Sequence, residues 1–187
     1  MDPDEILLDT EASMEKAFEY MQHEFSAVRT GKASPALVEN IDVEAYGGTR
    51  MKLKQLALIT TPEPRLLVIQ PFDVSTVKDI ERGLKESKLG ISPLVDGKII
   101  RLPIPELSEE RRKDLVKSIR HMAEEARVRV RGHRRSGIDE AKKSKKEGEM
   151  TEDQLADFEI SVQKLTDQYT KSIDEHLAHK EAEIMKV

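Results

Sequence analysis

Residues 108–148 read SEERRKDLVKSIRHMAEEARVRVRGHRRSGIDEAKKSKKEG, and this stretch decides the fold. Ser108 can cap a helix, and Glu109 and Glu110 follow where the positive end of a helix dipole favours carboxylates. Leu115, Ile119, Met122, Ala126 and Val130 then recur in steps of three and four, which builds one apolar face. The pattern fades only near Gly148. About 40 residues at ~1.5 Å each predict a rod of roughly 60 Å. Gly132 and Gly137 interrupt the rod, and each costs about 1 kcal/mol in a helix interior relative to Ala. Either a local bend or a close approach would account for them.

A rod with one apolar face has to be covered by other elements. Thr151 and Gln154 form a capping box. Leu155, Phe158, Val162, Leu165, Tyr169 and Ile173 then repeat the same spacing, and Leu177 and Ile184 extend it. At the other end of the chain, Asp2, Pro3 and Glu5 start a helix whose stripe is Met14, Phe18, Met21, Phe25 and Val28; Gly31 and Pro35 end it. Three amphipathic helices predict a three-helix bundle, and the short Lys145–Met150 connection makes the second and third antiparallel neighbours.

The connection between the first and second helices is too long for a bundle loop, so residues 31–105 form a domain of their own. Val38–Tyr46, Met51–Leu56, Leu58–Thr61 and Leu66–Ile69 are strand-like, with Gly47-Gly48 as a hairpin turn. Ser75–Ser87 reads as one helix capped by Ser75. Gly90–Pro93 and Asp96-Gly97 bracket further strand-like sequence ending at Leu102. The fold class is therefore α+β with two domains: a discontinuous bundle (1–30 and 106–187) and an inserted β/α/β domain (31–105). The crossings are Thr30, Gly31, Lys32, Ala33, Ser34 and Pro35 on one side and Pro103, Ile104 and Pro105 on the other. Glycine and proline at both crossings predict hinges near 30–35 and 103–106.

Charge is distributed unevenly. The chain of 187 residues carries a net charge of -5. Residues 111–146 nevertheless hold 14 Lys/Arg against 5 Asp/Glu, so the two flanking helical regions are strongly acidic. The densest part is Arg127-Val128-Arg129-Val130-Arg131-Gly132-His133-Arg134-Arg135. Positive charge gathered into one segment of an acidic protein points to a polyanion, first of all nucleic acid. Arg120, Arg127, Arg131 and Arg134, spaced by seven, four and three, share one sector beside the apolar stripe. Arg129 lies about 160° around the wheel from Arg131 and serves the bundle. No aromatic residue falls between Ser108 and Gly148, so base stacking is unsupported and the backbone of structured RNA fits better.

Catalytic signals are poor. There is no Cys, which excludes disulfides and thiolate chemistry. No apolar run reaches the ~20 residues a membrane span needs, and a cytoplasmic protein is expected. His176 and His179 have helical metal-ligand spacing but lie among charged residues. His23, His121 and His133 have no evident partner; Asp73 and Asp79 read as turn and helix-start residues. Gly47-Gly48 lacks the phosphate-loop context. The expectation is no catalytic set and no metal. The residues alone leave open a coiled-coil adaptor and a metal hydrolase built on His176 and His179.

Several stretches, in order and at matching separations, resemble bacterial ribosome recycling factor along essentially the whole chain. They are Arg29-Thr30-Gly31-Lys32-Ala33-Ser34-Pro35, Leu53-Lys54-Gln55-Leu56-Ala57, Leu89-Gly90-Ile91-Ser92-Pro93 and Ile100-Arg101-Leu102-Pro103-Ile104-Pro105. Leu107–Leu115, Ala126-Arg127-Val128 with Arg131, Arg134 and Arg135, Gln163–Asp167 and His179–Glu183 complete the set. The resemblance implies an L-shaped monomer without enzymatic activity or cofactor. It implies binding to large-subunit ribosomal RNA after termination, and subunit separation with GTP-bound elongation factor G while the smaller domain swings. Carried over, the RNA contacts are Arg131 and Arg134, then Arg127, Arg135, Arg111 and Arg29; Arg29 could instead hold the junction. The chain departs from the family pattern at Gly132, where Asn is usual, and at Gly137.

Overall fold

In this computed structural model, which describes residues 1–186, the elements run in chain order as follows. They are α1 (Pro3–Ser26), β1 (Asp42–Ala45), β2 (Thr49–Lys52), α2 (Leu53–Leu56), β3 (Ala57–Glu63), β4 (Leu66–Pro71), α3 (Val77–Glu86), β5 (Leu94–Asp96), β6 (Ile99–Pro103), α4 (Glu109–Lys146) and α5 (Glu152–Met185). Contact density groups Met1–Phe25 with Val116–Glu183, and Ser26–Leu115 with the tail from Ile184.

The long helices start where their side chains can satisfy the orphan N–H groups of the first turn. Asp2 Oδ1 accepts the N–H of Asp4 at 3.0 Å, and Glu5 accepts that of Asp2 at 3.3 Å. Ser108 Oγ accepts the N–H of Arg111 at 3.1 Å. Thr151 and Gln154 exchange two such bonds, at 2.9 and 3.2 Å.

In the first unit α4 runs antiparallel to both neighbours. On one side Ser144 Oγ donates to the Met1 carbonyl at 2.9 Å, the N-terminal ammonium pairs with Glu149, and Arg129 lies over the Tyr20 ring at 4.8 Å. On the other, Arg120 meets Glu181, Arg127 meets Asp174, and Arg134 meets Gln163. Met14, Met21, Ile119, Ala123, Ala126, Val130, Phe158, Val162 and Ile173 fill the core.

The buried face of α4 differs from the expected stripe. Leu115 and Met122 are only half-buried, whereas Val116, Ala123, Gly137, Ala141 and Ser144 are buried. Small residues go inside because the helices approach closely. A Cβ built on Gly137 would stand 2.6 Å from Thr10 Oγ1, whereas one on Gly132 would meet nothing within 4 Å. Helix α4 continues through both glycines. Gly137 is thus a close approach between α1 and α4, and Gly132 has no packing role.

In the second unit an antiparallel sheet of order β3-β4-β6-β5 carries the core. Leu67 pairs with Leu102 and Ile69 with Ile100, all fully buried, while the alternate residues point outward. Val77, Ile80 and Leu84 of α3 join this core, as do Val43 and Ala45 of the separate β1–β2 hairpin.

Four local expectations are corrected here. Val38 to Ile41 is not strand, because Pro35 starts a 3-10 turn over Pro35–Leu37 capped by Ser34. Leu53–Leu56 is one helical turn rather than strand; it buries Leu53 and Leu56, and Gln55 closes its start. Ser75 does not cap α3. Asp73 caps the 3-10 turn Val74–Thr76 that leads into α3, its Oδ1 accepting the Ser75 N–H at 2.9 Å, and the N-cap of α3 itself is Thr76. The hairpin turn also begins one residue early, with Tyr46 at φ 52 and its hydroxyl donating to Asp73 at 3.1 Å.

Candidate RNA interface on helix α4

Helix periodicity sorts the arginines of α4 by what lies beside them. Arg127 faces α5 and its side chain is only 17% exposed. Its guanidinium bonds Asp174 at 2.6 and 2.9 Å and Glu124 at 3.0 Å. Burial alone would lower its pKa, but the hydrogen bonds to Asp174 and Glu124 outweigh that and hold it above the ordinary value. Arg120, bonded to Glu181 at 2.6 Å, is likewise raised, by that hydrogen bond first. Arg134 is half-buried and donates to Gln163 Oε1 at 2.9 Å. Gln163 in turn donates to Asp167 at 2.9 Å.

Arg131 and Arg135 are different. Arg131 is half exposed and reaches Glu124 only at 3.6 Å. The Arg135 side chain is exposed, and no ion pair or hydrogen bond engages it among the described residues. Arg129 stacks over Tyr20 on the α1 side, as its wheel position predicted. The outward edge of α4 thus carries guanidinium groups that can still donate two parallel hydrogen bonds to a phosphate. On α1, Glu11, Glu15 and Glu19 stand close enough to Tyr169 to raise its pKa, after the effect of burial.

The remaining candidate arginines belong to the second unit. Arg29 donates to the Pro105 carbonyl at 2.9 Å. Its Nε is buried and unbonded among the described residues, and its pKa is lowered by burial and then by Arg111. Arg29 and Arg111 line a cleft of about 330 Å³ with Gly90, Pro105 and Ser108. Arg29 thereby ties Pro105, in one chain crossing, to its own position at the edge of the other. Among the other crossing residues, Ala33 donates to the Pro64 carbonyl and Ile104 to that of Arg65, both at 2.7 Å. Both passages are fastened to the β3–β4 turn. Pro103 pairs with Leu66 at the end of β6, and Ser34 and Pro35 form the capped 3-10 turn. Thr30, Gly31 and Lys32 lie in irregular loop, with Gly31 at φ 83.

The histidines are taken up locally. His176 sits edge-on to Phe18 at 4.9 Å and its ring nitrogens meet Ser172 O and Gln22 Nε2. His179 pairs with Glu183. No group of three or more potential metal ligands exists among the described residues. No helix among them is long and apolar enough to cross a membrane. The residues that sequence reasoning missed are the partners Asp174, Glu181 and Gln163. A signal existed: Asp174 and Glu181 are seven apart, as are Arg120 and Arg127, the register of an antiparallel pair.

The architecture and this edge define a class: a two-unit α+β protein in which a cationic helix is set into an otherwise acidic bundle. A family model described as ribosome recycling factor matches residues 21–185. The chain belongs to the ribosome recycling factor family. It is 60% identical to the ribosome-recycling factor of Akkermansia muciniphila over the full length of both chains. It is 54% identical to that of Rubrobacter xylanophilus, covering 97% of each. A solution structure of a ribosome recycling factor superposes with a TM-score of 0.80 at 40% identity, covering 100% of this chain and 99% of that one. A second structure is described as models for the T. thermophilus ribosome recycling factor and the E. coli elongation factor G bound to the E. coli post-termination complex. Its matching chain has a TM-score of 0.68 at 40% identity, with both chains fully covered.

Proposed function

We propose that this chain binds the post-termination ribosome and, with elongation factor G and GTP, promotes separation of the subunits. Full-length similarity to a recycling factor placed with elongation factor G in models of that complex carries the reading. The action is mechanical and cytoplasmic, performed by a monomer without chemistry of its own. The bundle, residues 1–30 and 106–187, docks on large-subunit ribosomal RNA. Residues 31–105 move about the crossings at 30–35 and 103–106.

Within the bundle, Arg131, Arg134 and Arg135 contact phosphates. Arg127 enters as the buttress that fixes α4 against α5, since Asp174 and Glu124 already occupy its guanidinium. Beside the crossings, Arg111 and Arg29 add a further cationic pair, Arg29 also holding Pro105. Duplex RNA read through its backbone suits a helix edge that has cations but no aromatic residue.

Ribosome-profile centrifugation tests the reading. Post-termination complexes given this protein, elongation factor G and GTP should resolve into free subunits; a persisting intact-ribosome peak would overturn it. Arg131→Ala and Arg134→Ala should each weaken large-subunit binding and lower the slope of log affinity against log salt by about one. Unchanged slopes in both variants would remove α4 as the interface.

A further inference from the structure

Gly132 is exposed in the middle of α4, and the fold supplies no reason for a glycine there. A Cβ at this position would meet no atom within 4 Å. The helix runs unbroken through it, and Gly132 is absent from the positive-φ residues. Any L residue could adopt its conformation, and nearly all would favour the helix more. Gly137, on the same helix, shows what a structural glycine looks like, wedged against Thr10.

Its placement is informative. At 100° per residue Gly132 lies about 155° around the wheel from the mean of the buried α4 residues, on the outermost line of the helix. By the same measure Arg135 and Arg131 stand about 60° and 100° to one side, and Arg129 and His133 about 60° and 100° to the other. Arg131 and Arg135 are exposed on their slope, and Arg129 is held in place over Tyr20. The bare backbone is thus a low point on the crest, flanked by cations.

We propose that Gly132 is the point of closest approach between α4 and RNA, where a ribose–phosphate chain rests on the helix backbone between Arg131 and Arg135 on one side and Arg129 on the other. The inference rests on the reading of α4 as the RNA-facing helix. The Cα cylinder of a helix has a radius of about 2.3 Å, against 5–6 Å with side chains. A surface meeting the helix at a glycine can therefore come roughly 2–3 Å nearer. The shorter approach lets Arg131 and Arg135 fork onto phosphates from the side instead of reaching outward from a distance. The wide, shallow minor groove of A-form RNA, edged by 2′-hydroxyls, accepts a convex rod in this way.

The test compares Gly132→Ala, Gly132→Leu and Arg131→Ala in two measurements, the melting temperature and equilibrium binding to purified bacterial large ribosomal subunits. Both glycine variants should melt higher, Gly132→Ala by about 2–4 °C. Both should bind more weakly, by roughly threefold for Ala and tenfold or more for Leu, the graded penalty of a blocked approach. A purely structural glycine cannot give opposite signs in the two measurements. If both variants bind like the wild type while Arg131→Ala weakens binding, the close approach at Gly132 is refuted and the α4 interface stands. If Arg131→Ala also binds like the wild type, the interface itself fails and the inference falls with it. A lower melting temperature for Gly132→Ala would overturn the premise that the fold does not need this glycine.

Discussion

Replacing Gly137 with Ala should destabilise the protein even though it removes a helix-breaking residue. The gain in helix propensity is about 1 kcal/mol. Against it stands the new methyl carbon, 2.6 Å from Thr10 Oγ1 and 3.3 Å from Thr10 Cγ2. Thr10 cannot swing aside easily. It is 6% exposed, its hydroxyl donates to the Ile6 carbonyl at 2.7 Å, and a β-branched side chain in a helix has few rotamers. Overpacking of this kind costs about 1–3 kcal/mol, and a contact this short belongs at the upper end. The net loss is about 1–2 kcal/mol, or roughly 2–8 °C in melting temperature for a chain of this size. The sign should reverse when Thr10 is first cut back. In a Thr10→Ala background both clashing atoms are gone, and Gly137→Ala should then stabilise by about 1 kcal/mol. Urea and thermal unfolding of the four proteins of the cycle, followed by far-ultraviolet circular dichroism, give a coupling of about 2–3 kcal/mol if the reasoning holds. Equal stabilisation by Gly137→Ala in both backgrounds would refute the close approach of α1 and α4.

Arg127→Met keeps the aliphatic stem and removes the guanidinium, so it should lower stability by about 1 kcal/mol. The salt slope of large-subunit binding should stay unchanged; a slope reduced by one would restore Arg127 as a phosphate contact. Acid should act partly through Asp73. Its carboxylate is held below the usual range by the Ser75 backbone N–H first, then by the Ser75 and Tyr46 hydroxyls. A depressed folded pKa stabilises above the unfolded value and loses that contribution as pH falls through the folded one, hence below about pH 4. Asp73→Asn keeps the cap but cannot titrate there. Its acid unfolding should begin at lower pH than the wild type's, and identical acid limbs would remove Asp73 from the transition.

Much of the bundle was legible because its signals are local. Asp2, Ser108 and Thr151 announce the three helix starts, and each side chain does the capping its position predicted. The insert was harder. Leu53–Leu56 has strand composition, but the pair Leu53 and Leu56 is buried by one helical turn, a choice made by the core around it. Ser75 looked like the cap of α3, yet Asp73 begins a turn two residues earlier and receives both the Ser75 N–H and the Tyr46 hydroxyl. Periodicity placed Met122 inside. Closer packing of α4 buried Ala123 and Gly137, which a hydrophobicity pattern underweights.

By itself the sequence determined the number of long helices, the insertion between the first and second, and the gathering of positive charge on one of them. Spacing, capping and charge depend on neighbours a few residues away, and these are written into the chain. Only the tertiary structure decided what stands beside each residue of the arginine run. Arg127 and Arg131 are four apart and about 40° from each other on a wheel, yet one is occupied by Asp174 of α5 and the other is half exposed. Gly132 and Gly137 carried the same propensity cost in sequence, yet one presses on Thr10 and the other has open space above it. The physical reason is the same in both cases. A side chain's role is set by what stands within a few ångströms, and in a bundle those atoms come from residues tens or more than a hundred positions away.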